Sequence, residues 1–176
     1  NGALAGEDAA TLGPALLLAR RAAAVARALL AGRGATAVES VTLKVGDDLE
    51  ASTGALLAAA AAGMLEGVVE AERLNLINAR SMAMARGIVL ATGSGGFAPH
   101  SRAIEVRLVA GPHSMRVGGV AALDAPPRLT RIGDFHVDVA PRGTLLVLSN
   151  DDVPGVIGHV GMTLADAGVN IAEYHQ

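Results

Sequence analysis

The densest run of chemically capable residues is Asn150-Asp151-Asp152-Val153-Pro154-Gly155-Val156-Ile157. Any of the three leading polar side chains can accept from the orphan N–H groups of a helix that starts behind them. Pro154 suits the first helical turn, where its missing N–H would be unpaired anyway. Such a helix start offers free N–H donors and a positive dipole end to a carboxylate. The plainer role of the same residues is capping and turning, and one sequence leaves both open.

Other candidate chemistry is sparser. His100, His113, His136, His159 and His175 are scattered, and no pair has metal-ligand spacing. Asp47, Asp48 and Glu50 lack the later ligands and the glycine of a calcium loop, so they read as a solvated turn. The loop Gly93–His100 (GSGGFAPH) lacks the Gly-Lys-Ser/Thr ending of a phosphate cradle, and Pro99 follows instead of a helix. There is no Gly-x-Gly-x-x-Gly opening a helix, no Gly-x-Ser-x-Gly elbow and no His-Glu-x-x-His. No catalytic site and no cofactor site is therefore expected within these residues.

The elements that must position the Asn150 run are short. Leu145–Leu148 is a continuous apolar stretch, as expected of a strand buried on both faces. Ile157, Val160, Gly161 and Leu164 share one helical face, and Gly168 stops that helix. Val169–Tyr174 reads as a second strand, giving β-loop-α-β. Upstream, Asn1–Gly13 is a lead-in, and Pro14–Ala31 is a helix with Leu18, Ala22, Val25 and Leu29 on one stripe and Arg20 and Arg27 opposite. Thr36–Val45 alternates as a half-buried strand. Ser52 and Thr53 are cap candidates for a helix over Gly54–Gly67, whose alanines let another element approach closely. Leu74–Asn78 is expected as a short strand, Ala79–Arg86 as a short helix and Ile88–Thr92 as a strand. Arg102–Val109 and Ser114–Ala121 form two strands joined at Gly111-Pro112, with Gly118 and Gly119 marking a bulge or a close backbone approach. Arg128–Ile132 and Phe135–Val139 form a last hairpin on Gly133-Asp134. Helices followed by an antiparallel run of strands make an α+β fold.

Composition sets outer bounds. Of 176 residues, 51% are hydrophobic and only 2% aromatic, so the core is built from Ala, Leu, Val and Ile. A formal net charge of -3 with no basic cluster argues against a nucleic-acid or anionic-membrane partner. No cysteine is present, which excludes a disulfide framework and thiolate metal sites. The longest apolar run, Gly54–Leu65, falls short of the ~20 residues needed to span a bilayer, and no signal peptide is evident. The expectation is a cytoplasmic protein. The chain opens on Asn1 and stops inside the last pattern, so a piece cut at both ends is expected.

Two resemblances add to this reading. The Leu145–Leu148 strand, the run Asn150-x-Asp152-x-Pro154-Gly155-Val156-Ile157 and the run Leu164-x-x-Ala167-Gly168-Val169-Asn170-Ile171 together resemble the first half of an ACT domain, a small amino-acid-sensing module. Ahead of it come Leu74-Asn75-Leu76-Ile77-Asn78-Ala79, Ala85-Arg86-Gly87-Ile88, Val117-Gly118-Gly119 and Arg131-Ile132-Gly133-Asp134-Phe135-His136-Val137-Asp138. In that order they resemble the intervening, allosteric-substrate-binding domain of the longer bacterial D-3-phosphoglycerate dehydrogenase family. The same fold resembles a domain of bacterial L-serine dehydratase. The match covers essentially the whole chain.

The resemblance implies an intervening domain over residues 1–140 and the N-terminal half of an ACT domain over residues 143–176. It implies a regulatory role, self-association through both domains, and L-serine as effector. Asn150 and Asp152 would come from the loop, with Asp152 accepting from the ammonium. The backbone at Val156 and Ile157 would hold the carboxylate, and Asn170 would come from the neighbouring subunit. NAD and the catalytic residues would belong to domains outside these residues. The family's intervening domain can hold an anion with Lys and Arg. Arg128 falls at one such position, Phe135 and Ala140 stand where some relatives place Arg, and Arg131 and Arg142 are nearby substitutes. A complete ACT domain is βαββαβ with its first strand between the third and fourth. The half present is therefore expected to be marginal: its two strands pair directly as a right-handed parallel βαβ unit, or a second chain supplies pairing. The alternative is an amino-acid-sensing module of another enzyme, such as L-serine dehydratase.

Overall fold

A computed structural model describes residues 6–94, 100–150 and 153–175. The chain separates into two compact units, Asn1–Arg142 and Gly143–Gln176.

The first unit is built on a six-stranded sheet in the order β2-β1-β3-β4-β5-β6. The strands are β1 (Ser40–Val45), β2 (Val89–Thr92), β3 (Ala103–Ala110), β4 (His113–Val120), β5 (Arg128–Ile132) and β6 (Phe135–Val139). Only β1 and β2 run parallel; every other neighbour is antiparallel. Parallel strands need a crossover, and helices α2 (Thr53–Leu65) and α3 (Ala79–Met84) lie in that connection. Helix α1 (Gly6–Gly32) packs on α2 and across β3 and β4. The α+β class and the mainly antiparallel sheet agree with the sequence reading.

Alternation along the strands selects the helix-facing side. Val41, Leu43, Ile104, Val106, Leu108, Val117 and Leu129 are fully buried. Thr42, Lys44, Glu105, Arg107 and Arg116 occupy the intervening positions, in register across β1, β3 and β4. In α2, all ten residues from Leu56 to Leu65 are buried, so the helix is enclosed on every side. That enclosure depends on small residues. A Cβ on Gly63 would collide with the Arg20 backbone carbonyl of α1. Close approach recurs at Gly119, where a Cβ would strike the Arg128 carbonyl and come within 2.9 Å of Leu18 Cδ1. The β4–β5 register shifts between Gly118 and Gly119, so bulge and close approach coincide.

Several local expectations need correction. Helix α1 begins at Gly6 and carries Pro14 inside it, rather than starting there. An interior proline loosens the preceding turn and frees carbonyls. The buried Arg102 ties the neighbouring turn down: its Nη2 donates to the Thr11 carbonyl at 2.7 Å and its Nε to the Ala121 carbonyl at 2.6 Å. The buried face of α1 is also rotated from the expected stripe. Ala15, Leu18, Ala19, Ala22, Ala23, Ala26 and Leu30 are fully buried, whereas Val25 and Leu29 are half-buried.

Leu74–Asn78 is a turn, not a strand. Asn75 Oδ1 accepts from the Ile77 and Asn78 N–H groups at 2.9 and 3.0 Å. Asn78 Oδ1 accepts from the Asn75 N–H at 2.9 Å, and Asn78 Nδ2 donates to the Arg73 carbonyl at 2.7 Å. These side chains outcompete a ladder for the backbone groups. Ser52 makes no capping bond, and Thr53 Oγ1 donates back to the Glu50 carbonyl.

The second unit holds helix α4 (Val156–Asp166). Gly155 precedes it at φ 94°, a left-handed conformation that ends any helical run. Pro154 therefore lies in the turn ahead of α4 and not in its first turn. At the other end, the Val169 N–H donates to the Leu164 carbonyl at 2.8 Å and the Gly168 N–H to Ala165 at 2.9 Å, with Gly168 at φ 71°. That is a Schellman closure. The expected strands Leu145–Leu148 and Val169–Tyr174 are not formed: residues 144–150 and 169–175 carry no ladder. The reason is exposure. Strand geometry is maintained by pairing of backbone groups, and these segments lie open to water, which satisfies them instead. Direct parallel pairing of the two segments is thus not adopted.

Candidate functional site

The effector residues expected from the sequence all belong to the second unit. Helix α4 starts at Val156, so the N–H groups of Val156 and Ile157 belong to its first turn, where no intrahelical acceptor exists. Among the described residues, the first backbone bond of this end runs from the His159 N–H to the Gly155 carbonyl at 2.9 Å. Donors suited to a carboxylate are thus present at Val156 and Ile157. Asn150 is exposed and engaged in an interaction of its own. Asn170 is exposed, in a segment without a ladder. Asp152 lies outside the described residues. Ile157 is half exposed, and no residue of α4 is buried.

The candidate anion residues are distributed along the last hairpin. Arg128 opens β5 and is tied down twice by Asp138 on β6: Nε to Oδ1 and Nη2 to the backbone carbonyl, both at 2.6 Å. Arg131 lies three positions further along β5, about 10 Å away at strand rise. Its Nε donates to the Gly133 carbonyl at 3.1 Å. Arg142 follows β6 and is exposed. The structure gives Arg131 a different companion. Arg116, on β4, donates from Nε to the same Gly133 carbonyl at 3.3 Å and from Nη2 to Asp134 Oδ1 at 2.6 Å. Sequence reasoning missed Arg116 because it lies 17 residues from Gly133. The one available signal was the β4–β5 register, which brings the end of β4 beside the turn.

The turn after β1 is not built to hold a dinucleotide. The parallel pair β1–β2 is the place where a glycine-rich strand-to-helix turn would hold a pyrophosphate. After β1 the chain instead carries Gly46 and then Asp47, Asp48 and Glu50 in a 3-10 turn. The space above Gly46 is filled by the Ser101 and His100 carbonyls, and Asp48 accepts from Ser101 Oγ at 2.6 Å. Acidic side chains and occupied space both oppose a pyrophosphate there. Among the described residues, no three of His, Asp and Glu gather as a metal site. No helix among them is long and apolar enough to cross a membrane.

Comparison with known proteins gives one consistent result. No protein-family model matches the chain. D-3-phosphoglycerate dehydrogenase of Synechocystis is 30% identical over 166 residues, 92% of this chain and 29% of that protein. The enzyme of the same name from Methanocaldococcus jannaschii is 30% identical over 99 residues, 56% of this chain and 19% of that protein. That from Bacillus subtilis is 30% identical over 100 residues, again 56% and 19%. The chain thus spans less than a third of the length of these curated relatives. Over nearly its whole length it is a relative of the D-3-phosphoglycerate dehydrogenases, corresponding to one segment of such a protein.

Proposed function

We propose that this chain is a regulatory segment of a D-3-phosphoglycerate dehydrogenase. Residues 1–140 act as the intervening domain and residues 143–176 as the first half of a serine-sensing ACT domain. The observation that carries the reading is the match over 92% of the chain to 29% of one relative, in residues without a dinucleotide turn. The parent enzyme would oxidise 3-phosphoglycerate with NAD, in the first step of L-serine biosynthesis, in the cytoplasm. NAD and the chemical step belong elsewhere in the polypeptide. What these residues contribute is self-association and effector binding.

L-serine would place its carboxylate on the N–H groups of Val156 and Ile157. Asp152 accepts from its ammonium, Asn150 flanks it, and Asn170 of a second subunit closes the site. Inhibition then follows if one subunit arrangement binds serine more tightly than another. Calorimetry of L-serine binding to the full-length protein, with Asn170→Ala as control, tests this. Saturable binding that the substitution abolishes is the expected result. A folded oligomer that binds no serine would remove the sensor assignment and leave the kinship intact.

A further inference from the structure

A pocket of about 460 Å³ lies where the middle of α1 meets the chain leaving α2. Leu17, Arg20 and Arg21 line it from one side, and Glu66, Gly67 and Ala71 from the other. That volume is typical of a small-ligand site. Its walls are fixed from several directions. The Arg20 backbone carbonyl packs against Gly63, where a Cβ would collide with it. Arg20 Nε donates to Glu66 Oε1 across the two elements. Arg27 Nη1 donates to the Glu66 backbone carbonyl at 2.9 Å. Gly67, at φ 76°, then turns the chain away from α2. Glu66 is thus held at both its carboxylate and its carbonyl.

The charges around this pocket do not balance. Arg20 neutralises Glu66, and Arg21 is left over. It is half-buried and makes no hydrogen bond or ion pair among the described residues. Drawing a cation partly out of water without a partner is unfavourable, and a carboxylate laid on its planar fork offsets that. The lining carries one excess positive charge, which a monoanion matches and a phosphate dianion overshoots beside Glu66. Leu17, 42% exposed, and Ala71 add an apolar wall. An inorganic ion would leave that wall wet, whereas a short aliphatic chain covers it.

We propose that this pocket binds a small organic acid, an aliphatic monocarboxylate with its carboxylate on Arg21 and its chain on Leu17. The site is independent of the serine reading, which concerns residues of the second unit alone.

The test is an NMR titration of the chain with butyrate, acetate, butylammonium and inorganic phosphate, each added separately. The Leu17 methyl and Arg21 Nε–H signals are followed. Saturable shifts with butyrate are expected, severalfold weaker with acetate and absent with butylammonium. Arg21→Gln should weaken butyrate at least tenfold, and Arg21→Lys, which keeps the charge without the fork, by less. Leu17→Ala, a change at an exposed position, should bring butyrate to the level of acetate and leave acetate unchanged. Arg128→Gln, on β5, should alter nothing. Absence of saturation with butyrate overturns the site, as does equal binding in the parent chain and Arg21→Gln. Butylammonium shifting the same signals overturns the role of Arg21, and phosphate binding more tightly than butyrate overturns the organic acid.

Discussion

Helices α2 and α4 are close in length, and each carries two glycines among aliphatic residues. Their surroundings differ completely. Ten consecutive residues of α2 are buried, and none of α4 is. Burial of apolar surface is what stabilises a helix in a protein, because short isolated helices are marginal in water. Helix α2 is therefore held by its unit, whereas α4 rests on its own closure: Gly155 before it and the Gly168 Schellman bonds after it. The first unit has a buried core of its own. The second has no buried residue in its helix and leaves Leu146, Val147, Leu148, Ile157, Met162 and Ile171 exposed.

Hydrogen exchange should break or sharpen this contrast most strongly. Amides of β3 and β4 are expected to exchange only on global unfolding, and those of residues 144–149 at rates near an unprotected peptide, a difference of several kcal/mol in opening free energy. Equal protection in a dilute monomer would show that the second unit folds unaided, and the contrast would fail. Core truncation comes next. Leu56 is fully buried and Ile157 half exposed. Leu56→Ala should cost about 2–5 kcal/mol in urea unfolding followed by circular dichroism. Ile157→Ala should change the same transition by no more than about 0.5 kcal/mol. A comparable loss from both would mean that α4 shares in the core.

How much of this was legible in the residues differs between the two units. The sheet was readable because alternation at Val41-Leu43-Val45 and Ile104-Val106-Leu108 reports burial directly, and Gly118-Gly119 marked the bulge. The stripe of α1 was misread because size was weighted over smallness. Its alanines, not Val25 and Leu29, are what permit contact with α2. Leu74–Asn78 looked like a strand by hydropathy, but Asn75 and Asn78 supply their own backbone partners, which periodicity does not reveal. The start of α1 was set at Pro14 because no local pattern announces that Arg102, 91 residues from Thr11, will satisfy a carbonyl there. In the second unit the helix and its glycine stop were readable, being local. The expected strands Leu145–Leu148 and Val169–Tyr174 are not formed, because a ladder depends on neighbours that no short-range pattern can supply. The same holds for the candidate sites: the N–H donors at Val156 and Ile157 are named by the resemblance and not by spacing, whereas Arg116 comes to Arg131 only through tertiary register.

Glycine offers the smallest and most discriminating comparison. Gly63 in α2 and Gly161 in α4 both occupy helix interiors, where alanine is favoured by about 1 kcal/mol on intrinsic propensity. At Gly161 nothing lies within 4 Å of the added methyl, so Gly161→Ala should realise that gain as higher helicity in α4. At Gly63 the methyl would meet the Arg20 backbone carbonyl, which cannot swing aside as a side chain would. Moving α1 away opens the densest contact of the unit, and overpacking of that kind costs about 1–3 kcal/mol. The propensity gain does not offset it, so Gly63→Ala should destabilise. One substitution, made in two helices of similar length, is thus expected to act with opposite sign. Chemical shifts of α4 amides report the first effect and the unfolding midpoint of the first unit the second. Stabilisation by Gly63→Ala would mean that α1 and α2 are not in contact at that turn. Destabilisation by Gly161→Ala would mean that α4 is packed on that face, and that the second unit already has its partner.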